Sequence, residues 1–225
     1  MAPRMKESPE ETHERIARAA EDLFRRLGFA KTSVADIARA VEMSPANIYR
    51  FFPSKTAIVA TICRRSLQEV EVEVLRVAHM PGTPQARITA VHLAIIAYHK
   101  ANFLTERGVY DMVVVAIENN WDAIEAHKAR IRDVLAGILE EGIKEGAFLP
   151  HAPGAVAALL LSACVRFCHP MLVAEHIGDD LEGELKTHIA FILRAIECVP
   201  TPLQPALQPS GPASPALCTG TTCDA

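Results

Sequence analysis

Asn47 and Arg50 stand three residues apart in the stretch SPANIYRF, the spacing that puts two side chains on one face of a helix. An asparagine amide can pair bidentately with adenine and an arginine guanidinium with guanine, so the pair suits the reading of base edges in a DNA major groove. Ala46 shares that outer face, and Ser44 and Pro45 stand at its entry. Thr32, Ser33, Tyr49 and Lys55 lie nearby and offer hydroxyls and an ammonium. Such groups hold phosphates, best at helix N-termini, where backbone N–H groups also favour anions.

Reading a groove needs these side chains on short, rigid elements, and the stretch Thr32 to Lys55 supplies them. Ser33 with Asp36 three residues on is a capping box, and Val34, Ile37, Ala38 and Val41 give one apolar helical face. Glu42 and Met43 form a turn. Ser44 then caps a second helix with Pro45 at its first position, where a missing N–H does no harm. Ile48 and Phe52, four apart, anchor that helix inward, Pro53 stops it, and Ser54 caps the next. Two helices in so few residues, the second polar outside, make a helix-turn-helix.

The same residues resemble the DNA-binding motif of the TetR family of bacterial transcriptional repressors. The pattern appears as Gly28-Phe29, Thr32-Ser33-Val34, Ile37-Ala38, Ser44, Ile48-Tyr49, Phe51-Phe52 and Lys55, over about the first quarter of the chain. Glu42 stands where the family usually has the turn glycine, which places a non-glycine at positive φ at a cost of roughly 1 kcal/mol. Phe51 replaces a commoner Tyr or His. The resemblance implies phosphate contacts for Tyr49 and Lys55, a homodimer, and a second domain that holds a small-molecule effector among its middle helices.

Half of the 225 residues are apolar, glycine is sparse and no alternating β-branched run occurs, so the expected fold is all-α. Net charge is −4 but unevenly distributed. Residues 1–65 carry 12 Lys and Arg against 8 Asp and Glu, a balance of +4; the rest carry 11 against 19, a balance of −8. A basic head on an acidic body fits a DNA-binding module attached to something else. The N-terminus lacks an apolar signal core, and the apolar, charge-free run Ala147 to Val165 is broken by prolines and too short to span a bilayer. Six cysteines without export signals are expected as reduced thiols in a cytoplasm.

Four segments follow. Residues 1–7 read as a flexible arm and 8–65 as the helix-turn-helix domain, opened by the capping sequence Ser8-Pro9-Glu10-Glu11. Residues 66–199 read as an effector-binding and dimerisation domain, and 200–225, with six prolines by Pro215, as a disordered tail. A long helix from Ser54 to the Pro81-Gly82 break joins head to body. Further helices are expected near 85–104, after Gly108, at 121–145, 154–176 and 181–198. The last two are apolar on nearly every side, so each needs cover all round. A second copy would supply it, giving a homodimer through the last two helices.

No catalytic constellation is legible: there is no glycine-rich phosphate loop and no G-x-S-x-G elbow. Cys164, Cys168 and His169 carry ligand chemistry for zinc or copper(I). Buried free cysteines, however, commonly act as small hydrophobes, and neither metal nor cofactor is expected. His92, Ile96, His99, Phe103, Trp121, Arg166 and His169, with Phe167, are the candidate lining of the effector pocket, a mixture suited to an amphipathic or aromatic ligand. The resulting expectation is a ligand-responsive, homodimeric repressor on a near-palindromic DNA operator. The alternative is a helical binding or enzyme domain whose helix-turn-helix only packs.

Overall fold

The computed structural model describes residues 7–103 and 107–197, apart from the side chains of residues 103 and 107–110. The expected arm (save Glu7), the tail at 200–225 and the Phe103 side chain therefore lie outside the described residues. Among the described residues the chain is helical throughout, with one isolated antiparallel bridge, Phe148 to Glu197.

Helix α1 (Pro9–Leu27) starts where the Ser8–Glu11 capping box satisfies two orphan N–H groups. It leads to α2 (Val34–Ala40) and α3 (Pro45–Phe51), capped by Ser33 and Ser44 as their spacing predicts. Glu42 sits at φ 54° in the turn between them, in the left-handed region expected for the missing glycine. The turn is held by a bond from the Met43 N–H to the Ala38 carbonyl (2.8 Å) and by Arg15, which donates from α1 to the Val41 carbonyl (2.9 Å). Phe24, Ile37, Ile48, Phe52 and Ile58 pack the head's core, with His13 stacked on Phe52.

Helix α4 (Lys55–Ala78) runs through both halves: its Ile58, Val59 and Ile62 belong to the head's core, its Val70, Val74 and Val77 to the body's. The body continues with α5 (Pro84–Phe103), α6 (Arg107–Asn119) and α7 (Trp121–Lys144). The valine run Val113-Val114-Val115 is helical, and Met112 and Val113 of α6 pack into the head's core. Head and body are also tied by charge. Arg65 of α4 bonds Glu14 (2.7 Å) and Glu21 of α1, and Arg25 donates to the Asn102 carbonyl at the end of α5 (2.6 Å).

One expected helix is broken. The segment 154–176 forms α8 (Pro153–Ala163), α9 (Val165–Cys168) and α10 (Pro170–Glu175). His169 is extended, with ψ 122°, because the ring of Pro170 disfavours the helical conformation in the residue before it and the proline has no N–H to donate. Helix α11 (Leu181–Leu193) closes the body, burying Leu185, Ile189 and Leu193; it ends earlier than its apolar pattern predicts.

Gly142 shows how closely the body is packed. A Cβ there would land inside the van der Waals envelope of the buried Phe148 ring and 3.1 Å from Pro84 Cβ. Gly142→Ala is expected to lower stability by about 1–3 kcal/mol, read as a reduced midpoint in denaturant unfolding with unchanged slope.

Candidate DNA-reading face and effector cavity

Helix α3 is anchored by Ile48 and, at its end, by the half-buried Phe51. Ile48 is buried, whereas Ser44, Pro45, Ala46 and Arg50 are exposed, Asn47 is half-buried and Tyr49 is 54% exposed. The Ser44 Oγ accepts from the Asn47 N–H (3.2 Å), which leaves the Asn47 amide side chain at the helix's outer entry. The result is one small convex face carrying an amide, a guanidinium and a phenol, sized for a major groove.

The flanking residues expected at phosphates behave differently. Thr32 is only 1% exposed, and its hydroxyl donates to the Gly28 carbonyl (2.9 Å), so that side chain closes the α1–α2 turn rather than facing outward. Lys55 turns inward too: its Nζ donates to the Phe29 and Thr32 carbonyls, the latter at 2.9 Å, and lies 4.1 Å from the centre of the Phe29 ring. Burial lowers its pKa. Ser33 is exposed, but its N–H (3.0 Å) and hydroxyl (2.6 Å) both bind the Asp36 carboxylate. That carboxylate occupies the α2 N-terminus, so a phosphate would have to displace it.

A cavity of about 180 Å³ opens between α4, α5, α6, α7 and the α9–α10 break. Its walls are mainly apolar, including Val59 and Ile62 of α4 and Met112 and Val113 of α6, the same side chains that finish the head's core. His99 and His169 line it as expected. The other candidates do not. His92 and Ile96 are fully buried away from it, His92 donating from Nδ1 to the Ile88 carbonyl (2.9 Å). Trp121 is 59% exposed beneath the Lys128 ammonium, and Arg166 forms surface ion pairs with Asp179 (3.0 Å) and Glu184 (3.1 Å).

Tyr98, His127, Lys128, Cys63 and Ser66 add polar groups to the wall and are not among the residues expected there. A signal for two of them exists: the apolar stripe of α4 lapses between Ile62 and Val70, where Cys63 and Ser66 stand. His99 bonds the Cys168 carbonyl through Nε2 (3.0 Å), so Nε2 is the protonated nitrogen, and burial pulls its pKa down to about 4. Burial also lowers His127, although Glu71 accepts from it at 2.8 Å, and raises the Cys164 thiol to about 12. Among the described residues no group of three or more His, Cys, Asp or Glu is placed to hold a metal.

Comparison with known proteins bears directly on this two-part arrangement. Residues 16–62 match the model of bacterial regulatory proteins of the tetR family, and residues 84–187 that of the tetracyclin repressor-like C-terminal domain. The chain belongs to the TetR family. Among its relatives, the HTH-type transcriptional repressor KstR2 of Rhodococcus jostii (strain RHA1) is 27% identical over 133 residues, 57% of this chain. The chain spans 64% of that relative's length. The HTH-type regulator YhgD of Bacillus subtilis (strain 168) is 24% identical over 174 residues, 74% of this chain and 91% of the relative.

Solved structures of transcriptional regulators share the fold. FadR of Thermus thermophilus, in complex with lauroyl-CoA, is 20% identical with a TM-score of 0.58, covering 86% of this chain and 99% of its own. A putative transcriptional regulator of Pseudomonas aeruginosa PAO1 is 15% identical with a TM-score of 0.65, covering 84% and 91%. The first match runs from within α1 into the start of α4, and the second from the start of α5 into α11. No helix among the described residues is long and apolar enough to cross a membrane.

Proposed function

We propose that this TetR-family chain is a transcriptional repressor that reads a near-palindromic operator as a homodimer, joined through α8 and α11, and is released by a small molecule in the α4–α7 cavity. The observation that carries the reading is the shared wall. Val59, Ile62, Met112 and Val113 face the cavity and also belong to the head's core, so a ligand that displaces them displaces the head. The effector then favours protomer arrangements whose heads do not match the operator spacing, a shift of population. KstR2, a repressor by name, and FadR, solved with lauroyl-CoA, support it.

The test is a titration of the protein against DNA from its own upstream region, with a scrambled duplex alongside, at two salt concentrations. The expected result is sequence-preferring binding at least about 10³-fold tighter than to the scrambled duplex, weakened by salt. Equal binding to both duplexes would refute operator recognition there. Within that assay, Asn47→Ala should chiefly erode sequence preference, by about 1–3 kcal/mol at the base pair it reads. Tyr49→Ala should weaken operator binding roughly 30-fold, since a two-fold dimer loses the phenol twice. Equal losses on every sequence for Asn47→Ala would remove it from the base-reading set.

A further inference from the structure

The cavity's size, lining and polar groups together narrow what it can hold. Its volume of about 180 Å³ is slightly larger than an apolar cavity of about 150 Å³ that binds benzene, so it accommodates roughly 8–12 non-hydrogen atoms. Val59, Ile62, Met112, Val113, Ile117 and Ile124 make most of its wall apolar. The wall's titratable groups are driven toward their uncharged forms by burial: His99, His127 and His169 downward, Tyr98, Cys63 and Cys168 upward. Lys128 stands half-exposed and is already paired with Glu125 at 2.6 Å.

One polar atom of the wall residues stands out. His169 Nδ1 is buried and has no hydrogen-bond partner among the described residues. It is held there by the break before Pro170, where the chain is extended rather than helical. A buried nitrogen without a partner is a standing destabilisation that a ligand can relieve. Depending on tautomer, Nδ1 either donates or accepts; a hydroxyl can do both and suits either form.

We propose that the cavity takes a compact, uncharged molecule with one apolar ring or short chain and a single hydroxyl, a small phenol or alcohol, whose hydroxyl bonds His169 Nδ1. This rests on reading the cavity as the effector site. A carboxylate of the same size would lose its hydration without gaining a free cation among the described residues.

The test is calorimetric titration of the full-length protein with 4-ethylphenol, ethylbenzene and 4-methylbenzoate. 4-Ethylphenol should bind about 30-fold more tightly than 4-methylbenzoate, and about five- to tenfold more tightly than ethylbenzene. His169→Phe should abolish the preference for the phenol over ethylbenzene while ethylbenzene still binds. Ala116→Phe, checked for folding by circular dichroism, should weaken all binding by narrowing the cavity. Four results would each overturn the assignment: equal or tighter binding of 4-methylbenzoate, a phenol preference unchanged in His169→Phe, binding untouched by Ala116→Phe, or no binding of any probe at millimolar concentration. The effector reading is scored separately on operator DNA. A phenol that binds in the cavity without weakening operator binding sinks that reading and leaves the ligand class standing. A 4-methylbenzoate that binds more tightly and releases DNA does the reverse.

Discussion

Phe191→Asp should leave a folded chain that is monomeric and has lost its operator. Phe191 is 80% exposed on α11, while Leu185, Ile189 and Leu193 on the same helix are buried and hold it to the body. Leu159 on α8 is 57% exposed. In a two-fold contact each residue is used twice. Burying one phenylalanine is worth about 1.5–3 kcal/mol, so removing two weakens the proposed dimer by at least about 100-fold, before the added cost of desolvating two carboxylates. Losing the second head then removes the avidity of a bivalent grip, about 10²–10⁴ in operator affinity. Sedimentation should show a monomer, circular dichroism an unchanged helix content, and DNA titration the loss. A dimer that survives Phe191→Asp would place the interface elsewhere.

Lys55→Ala should be the most damaging single change in the head, and chiefly through stability. The ammonium satisfies two carbonyls, of Phe29 and Thr32, and lies over the Phe29 ring. Hydrogen bonds to a charged group are worth about 1.5–3 kcal/mol, and both acceptors are left without the donor on truncation. A loss of about 2–4 kcal/mol corresponds to a fall of roughly 5–15 °C in unfolding midpoint for a chain of this size. DNA binding should weaken on every duplex because the α1–α2 turn that seats α2 and α3 loosens. A Lys55→Ala protein of unchanged midpoint and a flatter salt dependence would instead return Lys55 to the phosphate contacts.

The head was legible because its signals are local. Caps, the proline at the start of α3 and the apolar spacing of Ile48 and Phe52 act within one or two turns, and even the positive φ of Glu42 follows from the turn it occupies. The inward turn of Thr32 and Lys55 was not, because their partners, Gly28 and Phe29, are fixed by how α1 meets α2 and α4. Helical periodicity predicts which face a residue occupies and says nothing of what stands opposite. Trp121 and Arg166 were therefore assigned to a pocket on residue type and lie at the surface, while Tyr98 and His127 were missed on helices whose inner faces are otherwise apolar. A proline at 170 is enough to break the helix there; that the break would set His169 against a cavity required the fold.

Helix α4 can also be viewed as a lever. From Val70, embedded in the body, to Lys55 at the edge of the head is 15 residues, about 22 Å of helix. A tilt of roughly 5° about the body end moves the head by about 2 Å, and two-fold symmetry makes the change between heads about 4 Å. The cavity touches that arm from Val59 near the head down to Val70 at the pivot, so a molecule seated there bears on the arm along most of its length. Because Arg65 binds α1 to α4, α1 moves with the arm, whereas the Arg25 bond to the Asn102 carbonyl at the end of α5 must stretch as the head tilts. On the proposed reading, the operator would be released by a change of span, with the reading face itself left intact.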